Sequence, residues 1–328
     1  MQTLAVTATT PEQATEFAKG FARIADNVEL AVLGKTRVVR LALTALFAQG
    51  HLLLEDAPGT GKTMLARALA ASIEGSHNRI QFTPDLLPSD VTGVTIYDQK
   101  TGEFAFHRGP IFASIVLADE INRASPKTQS ALLEVMEEAK ITVDGTTHPV
   151  GTPFMVVATQ NPIEQAGTYK LPEAQLDRFL IKTSLGYPDH DSVISILAGS
   201  AVRDRTAKLV PVVSAAQVVA MAKIAAHVYV SPVVADYVAR LADSTRDDPQ
   251  RTLGVSVRGC LALVRTAQVW AAAQGRNYVL PDDIKDLVTV VFAHRLVLDV
   301  EAEFDNVTAN DVITRIASAV PAPAGASV

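Results

Sequence analysis

Short, dense apolar runs recur through the first half of the chain: Leu52–Leu54, Ile80–Phe82, Ser114–Ala118, Phe154–Thr159 and Phe179–Lys182. They are rich in Val, Ile and Leu and too continuous for strands with one wet face. That pattern predicts a parallel sheet covered on both sides. Helical periodicity fills several of the gaps. Leu65, Ala68, Leu69 and Ile73 recur at helix spacing, and the stretch from Ala124 to Lys140 opens with Ser125 as a cap and Pro126 at the first helical position. The first ~185 residues therefore read as a layered α/β domain. One piece breaks the alternation. Lys140–Val150 carries β-prone residues around Asp144-Gly145, a pair that favours a tight hairpin turn.

Beyond Gly186–His190 the strand signal stops. Four helical stretches follow, with Ser231-Pro232 and Pro281 marking starts and Gly275 a stop. The expected organisation is an α/β core with an N-terminal helix over residues 1–187, a small all-helical domain over 188–318, and a loose Ala/Pro/Gly-rich tail over 319–328.

Composition narrows the class. With 48% hydrophobic and 20% charged residues, the chain has enough apolar content for real cores and does not read as disordered. The net charge of −6 gives the chain as a whole no electrostatic reason to sit on nucleic acid or an anionic membrane. The single cysteine, Cys260, forms no intrachain disulfide, builds no multi-cysteine metal site, and is expected in the core. The N-terminal stretch lacks the basic start and apolar run of a signal peptide, and no run of ~18 uncharged apolar residues occurs. A cytoplasmic protein without membrane insertion is the expectation.

The candidate chemistry begins after the first apolar run, in EDAPGTGKTML (Glu55–Leu65). Gly61, Lys62 and Thr63 fit the end of the phosphate-loop pattern, but Asp56 stands where its first glycine is usual. Such a loop works because successive backbone N–H groups turn inward and a helix N-terminus adds its positive end. Gly59 and Gly61 supply the backbone freedom. Lys62 supplies a point charge for β- and γ-phosphates, and Thr63 a hydroxyl for Mg²⁺.

A second element is SIVLADE, an apolar strand that delivers Asp119 and Glu120 at its end. That arrangement suits a magnesium partner, Asp119, followed by a base that polarises the attacking water, Glu120. Asn161, closing VVATQN, falls on the same sheet edge, because ligands of such sheets bind beyond the strand C-termini. The plain alternative for Asn161 is a turn before Pro162. Arg178 and Arg258 are candidates for stabilising charge on a transferring phosphoryl group, Arg178 from a neighbouring subunit and Arg258 from the helical domain. The plain alternative for each is a surface salt bridge.

APGTGKT, LADEINRA, ATQNP, LPEAQLDRF and GVSVRG, in that order, resemble the P-loop, Walker B, sensor 1, arginine-finger and sensor 2 segments of an AAA+ ATPase. DLLPSDVTGV, FHRGPIF and NRASPKTQSALLEVMEE resemble the MoxR family more narrowly, over about Val28 to Arg295. The resemblance implies a five-stranded P-loop core with a helical lid, and ATP hydrolysis in a ring, usually a hexamer. It implies a chaperone-like motor that matures or remodels client proteins, often ones with von Willebrand factor A domains. ATP and Mg²⁺ are the implied cofactors. Carried over by position, Pro58, Gly59, Thr60, Gly61, Lys62, Thr63 and Met64 surround the phosphates, and Val32, Leu33 and Gly34 lie near the adenine. Thr63 and Asp119 serve Mg²⁺, while Glu120, Asn161, Arg178 and Arg258 serve hydrolysis. The Asp144-Gly145 hairpin corresponds to one that faces the ring pore. Besides Asp56, two more positions depart from the pattern, Lys170 where proline is expected and Val257 where relatives often carry proline.

Three other readings share these motifs. A magnesium-chelatase-like motor subunit is a close relative. A nucleic-acid-directed AAA+ ATPase is disfavoured by the acidic balance and by the lack of a basic, aromatic strip. A nucleotide switch that binds without hydrolysing is separated from the others by Glu120→Gln.

Overall fold

The computed structural model describes residues 8–56, 59–100, 102–161, 168–198 and 205–323. The chain divides into two compact units. One comprises Arg23–Phe179 and Thr183–Val219, and the other the chain up to Ala22, Leu180–Lys182, and the chain from Ala220 onward.

The first unit is built on strands β1 (Leu52–Glu55), β2 (His77–Gln81), β3 (Gly93–Asp98), β4 (Glu103–Arg108), β5 (Ile115–Asp119), β6 (Lys140–Val143), β7 (Thr146–Pro149) and β8 (Met155–Gln160). With β9 (Ile181–Thr183), four of these make a five-stranded sheet of order β2-β5-β8-β1-β9. Its β2–β5, β5–β8 and β8–β1 pairings are parallel. Every residue of β5 is buried, as are five of the six in β8. The edge strand β2 differs from the expectation of a strand covered on both faces. Only Ile80 is buried, and its neighbours Arg79 and Gln81 present a polar face.

Helices α1 (Pro11–Glu29) and α2 (Thr36–Phe47) precede the sheet, and α3 (Lys62–Ser72) follows β1. The short α4 (Pro88–Thr92) comes before the β3–β4 hairpin, and α5 (Pro126–Glu138) follows β5. Ser125 caps α5 by accepting the Thr128 N–H, with Pro126 in the first turn. Leu132, Leu133 and Met136 of α5 pack with Leu53, Val116, Val156 and Phe179 in one apolar core.

Two antiparallel hairpins leave the sheet. β6–β7 turns at Asp144 and Gly145, both in the left-handed region at φ 49° and 78°, which is what an Asp-Gly two-residue turn requires. The β3–β4 hairpin was not anticipated. It exposes Val94, Ile96, Tyr97 and Phe104, with the Tyr97 and Phe104 rings 5.2 Å apart.

The four-residue helix α6 (Glu173–Leu176) precedes β9, and α7 (His190–Ala198) follows it. The second unit carries most of α8 (Ala215–Ala226), then α9 (Pro232–Asp247), α10 (Val257–Ala272), α11 (Pro281–Phe292), α12 (Val300–Phe304) and α13 (Ala309–Ala319). Ser231 and Ser256 cap α9 and α10. A small antiparallel pair, β10 (Arg251–Leu253) with β11 (Val297–Leu298), adds strand structure that the helical reading of this region lacked. Cys260, expected in the core, is only partly buried, because the inward face of α10 is taken by Gly259, Ala262 and Leu263. Among the described residues, no helix is long and apolar enough to cross a membrane.

Candidate functional site

The loop after β1 has the backbone that a phosphate cradle needs. Gly59 and Gly61 lie at φ 83° and 98°, conformations that glycine adopts without steric cost. α3 begins directly after Gly61 with no side-chain cap on its first turn, so its N–H groups face outward for an anion. Lys62 is nearly buried and donates from Nζ to the backbone carbonyl of Asp56 at 2.9 Å. Thr60 is buried, while Thr63 and Met64 are half-buried. Pro58 lies outside the described residues.

Asp56, the departure from the usual loop pattern, has a structural task. Its carboxylate accepts the backbone N–H of Leu185 at 2.5 Å and of Gly186 at 3.0 Å. A glycine would leave both donors without this partner.

Parallel pairing brings the ends of β1, β5 and β8 to one edge. Glu55 is in register with Gln160, and Ala118 with Ala158. Lys62 follows β1, Asp119 ends β5, and the buried Asn161 follows β8. Asp119 is almost buried and both of its oxygens are engaged. Oδ1 accepts from the Thr159 hydroxyl at 2.6 Å, and Oδ2 from Nη2 of Arg79 at 2.6 Å. Thr159 also accepts the Glu120 N–H at 2.9 Å. One hydroxyl thus ties both acidic residues to the neighbouring strand.

Glu120 sits in the left-handed region, at φ 57°, a strained conformation for a residue with a side chain. The strain turns the chain into a single 3-10 turn, Ile121–Arg123, and leaves the carboxylate at the strand tip. Its Oε2 accepts from Gln81 Nε2 and from Arg123 Nη1, each at 3.0 Å. Reading by motif missed Arg79, Gln81, Arg123 and Thr159. The signal for the first two was the alternation around Ile80, which puts both on one face of β2.

Gln129, fully buried in α5, donates to the carbonyls of Ile121, Ala124 and Tyr169, all at 3.2 Å. It thereby joins the turn after Glu120 to the segment that leads to Arg178. Arg178, just after α6, pairs with Glu137 of α5 at 3.3 Å. A polar hollow of about 330 Å³ beside this pair is lined by Glu134, Glu138, Lys140 and Thr142.

Val32 is buried, Leu33 half-buried and Gly34 exposed at φ 68°. Arg258 is exposed in the first turn of α10. Val257, where the family pattern leads one to expect proline, occupies the first helical position. The Ser256 cap starts the helix without it.

The Thr63 hydroxyl and the Asp119 carboxylate, the two groups expected to serve a cation, are both oxygen donors of the kind that suits a hard ion such as Mg²⁺. Among the described residues, no group of three or more His, Cys, Asp or Glu is arranged to hold a metal.

The profile of the "ATPase family associated with various cellular activities (AAA)" matches residues 51–181, and that of the "AAA lid domain" matches residues 243–316. The uncharacterized protein YeaC of Bacillus subtilis is 48% identical over 91% of this chain and 93% of its own. Chaperone MoxR1 of Mycobacterium tuberculosis is 40% identical over 90% of this chain and 80% of its own. A crystal structure from Cytophaga hutchinsonii, provisionally described as an ATPase, superposes with a TM-score of 0.89 at 36% identity, covering 95% of this chain and 97% of that one. The chain belongs to the MoxR family of AAA ATPases. It binds and hydrolyses ATP.

Proposed function

We propose that this ATPase works as a ring, with six subunits the expected number, and spends ATP hydrolysis on remodelling or maturing client proteins. The observation that carries the site assignment is the convergence of β1, β5 and β8 on one sheet edge, with Lys62, Asp119 and Asn161 at their tips. The chaperone role is supported by likeness to MoxR1, which is named a chaperone.

In this reading Lys62 leaves the Asp56 carbonyl for the β- and γ-phosphates, and the N–H groups of Gly59 to Met64 hold the remaining phosphate oxygens. Thr63 and Asp119 would hold Mg²⁺, which when bound would neutralise charge on the transferring phosphoryl group. Glu120 polarises the attacking water, and Asn161 orients it. Val32, Leu33 and Gly34 contact the base, and Arg258 acts as the sensor 2 arginine. Arg178 serves the nucleotide of the adjoining subunit. Its pairing with half-exposed Glu137 contributes only about 0–1 kcal/mol, so a triphosphate displaces it at little cost.

The β6–β7 hairpin faces the ring pore, and clients include proteins with von Willebrand factor A domains. Residues 1–187 act as the nucleotide-binding core and 188–318 as the lid.

Mixed rings test this reading. Arg178→Ala is expected to abolish turnover and leave nucleotide affinity within a few-fold of wild type. Mixing it with Glu120→Gln protein is expected to restore part of the activity, because some interfaces then contain both intact groups. No rescue, with mixed assemblies confirmed by mass, contradicts a finger supplied by a neighbour. Capture of a von Willebrand factor A protein on the Glu120→Gln variant in ATP would support the client class.

A further inference from the structure

The cation carboxylate already has a cation of its own. Asp119 Oδ2 accepts from Nη2 of Arg79 at 2.6 Å, and its side chain is only 12% exposed. Arg79 gets there by strand register. Gln81 lies opposite Asp119 in the β2–β5 pairing, and Arg79, two residues back on β2, shares its face. The guanidinium is steadied by a second bond, Nη2 to Gln81 Oε1 at 2.8 Å. Thr159 takes the other carboxylate oxygen. A divalent cation or its bound water approaching Oδ2 therefore meets a fixed positive charge.

We propose that Arg79 is an internal counter-cation of Asp119 that competes with Mg²⁺ for this carboxylate, and so sets the Mg²⁺ concentration at which the nucleotide site is completed. The proposal rests on the reading of Asp119 as the residue that serves Mg²⁺. Like charges repel over a few ångströms even in a partly wet site, and a guanidinium cannot relieve the repulsion by losing its proton. Arg79 must swing away or share the oxygen, and either lowers the apparent affinity for Mg²⁺. Its side chain is half exposed, so it has solvent to swing into.

The test is a Mg²⁺ titration of the full-length protein at fixed concentration of a fluorescent ATP analogue, read as bound-nucleotide fluorescence. Arg79→Gln and Arg79→Ala are expected to lower the half-saturating Mg²⁺ concentration by roughly 3–30-fold. Arg79→Lys should stay near wild type, and nucleotide binding in excess chelator should be unchanged in all three. Thermal unfolding checks that each variant is folded. An unchanged half-saturation point in folded Arg79→Gln and Arg79→Ala overturns the proposal. A raised one also overturns it, because Arg79 would then be positioning Asp119 for Mg²⁺. Asp119→Asn separates the two levels of the argument. If it leaves the Mg²⁺ dependence as in wild type, the reading of Asp119 fails and the proposal with it. If it shifts that dependence while the Arg79 variants do not, only the proposal fails.

Discussion

Asp56 and Leu185 are joined by a hydrogen bond of 2.5 Å from backbone N–H to carboxylate, and the same carboxylate takes the next N–H, of Gly186, at 3.0 Å. The residue that departs from the loop pattern therefore holds a distant segment against the loop. Lys35 reinforces this neighbourhood by donating from Nζ to the Tyr187 carbonyl at 2.5 Å. Restoring the usual glycine should be harmful. Asp56→Gly is expected to lower the stability by about 2–3 kcal/mol in urea unfolding, since it removes a charged acceptor from two N–H groups. Equal or greater stability would mean that the two bonds contribute nothing.

Thr159 carries a prediction about catalysis. Its hydroxyl donates to Asp119 and accepts from the Glu120 N–H. Thr159→Val keeps the shape and removes both bonds, leaving the Glu120 amide without its partner. The expected result is a fall in kcat of roughly 10-fold or more, the scale seen when residues that orient metal ligands are lost, with Thr159→Ser close to wild type. A Val variant with full kcat would reduce the hydroxyl to a packing role.

His51 makes stability depend on pH. It is fully buried, with one ring nitrogen against the Met136 carbonyl at 2.9 Å and the other accepting the Val156 N–H at 3.0 Å. The ring is thus neutral, with its proton on Nε2. Burial, partly offset by the Met136 bond, lowers its pKa from 6.5 to about 4. A histidine whose folded pKa is depressed gives stability that is fully present above the unfolded pKa and is lost as pH falls toward the folded one. Between pH 7.5 and 5 the loss from this residue is about 2 kcal/mol. Urea unfolding at both pH values should show a smaller drop in His51→Gln. The same drop in that variant would assign the pH dependence to other groups.

Much of this was legible in the sequence because it is local. The interior strands announce themselves as unbroken Val/Ile/Leu runs, since both faces are covered. Ser125-Pro126 and Asp144-Gly145 specify a helix start and a hairpin turn through their own backbone preferences. What stayed hidden depends on neighbours across the sheet. Arg79 and Gln81 reach acidic partners 39 or 40 residues away along the chain, and only the β2–β5 register brings them together. The same holds for Asp56, whose partners lie 129 and 130 residues on. The β3–β4 hairpin was readable in principle from the alternation of Val94 and Ile96 before Gly102. Its exposed apolar side chains, however, match no pattern of a half-buried strand.

The most direct test of the site is nucleotide binding and turnover measured together in Glu120→Gln. The substitution keeps the size of the side chain and its place beside Gln81 and Arg123 but removes the charge that the proposed mechanism uses to polarise water. ATP affinity is expected to stay within a few-fold of wild type and turnover to fall by at least ~100-fold, the lower range for general-base catalysis. Turnover near the wild-type rate, or loss of ATP binding with the fold intact, would contradict the proposed mechanism.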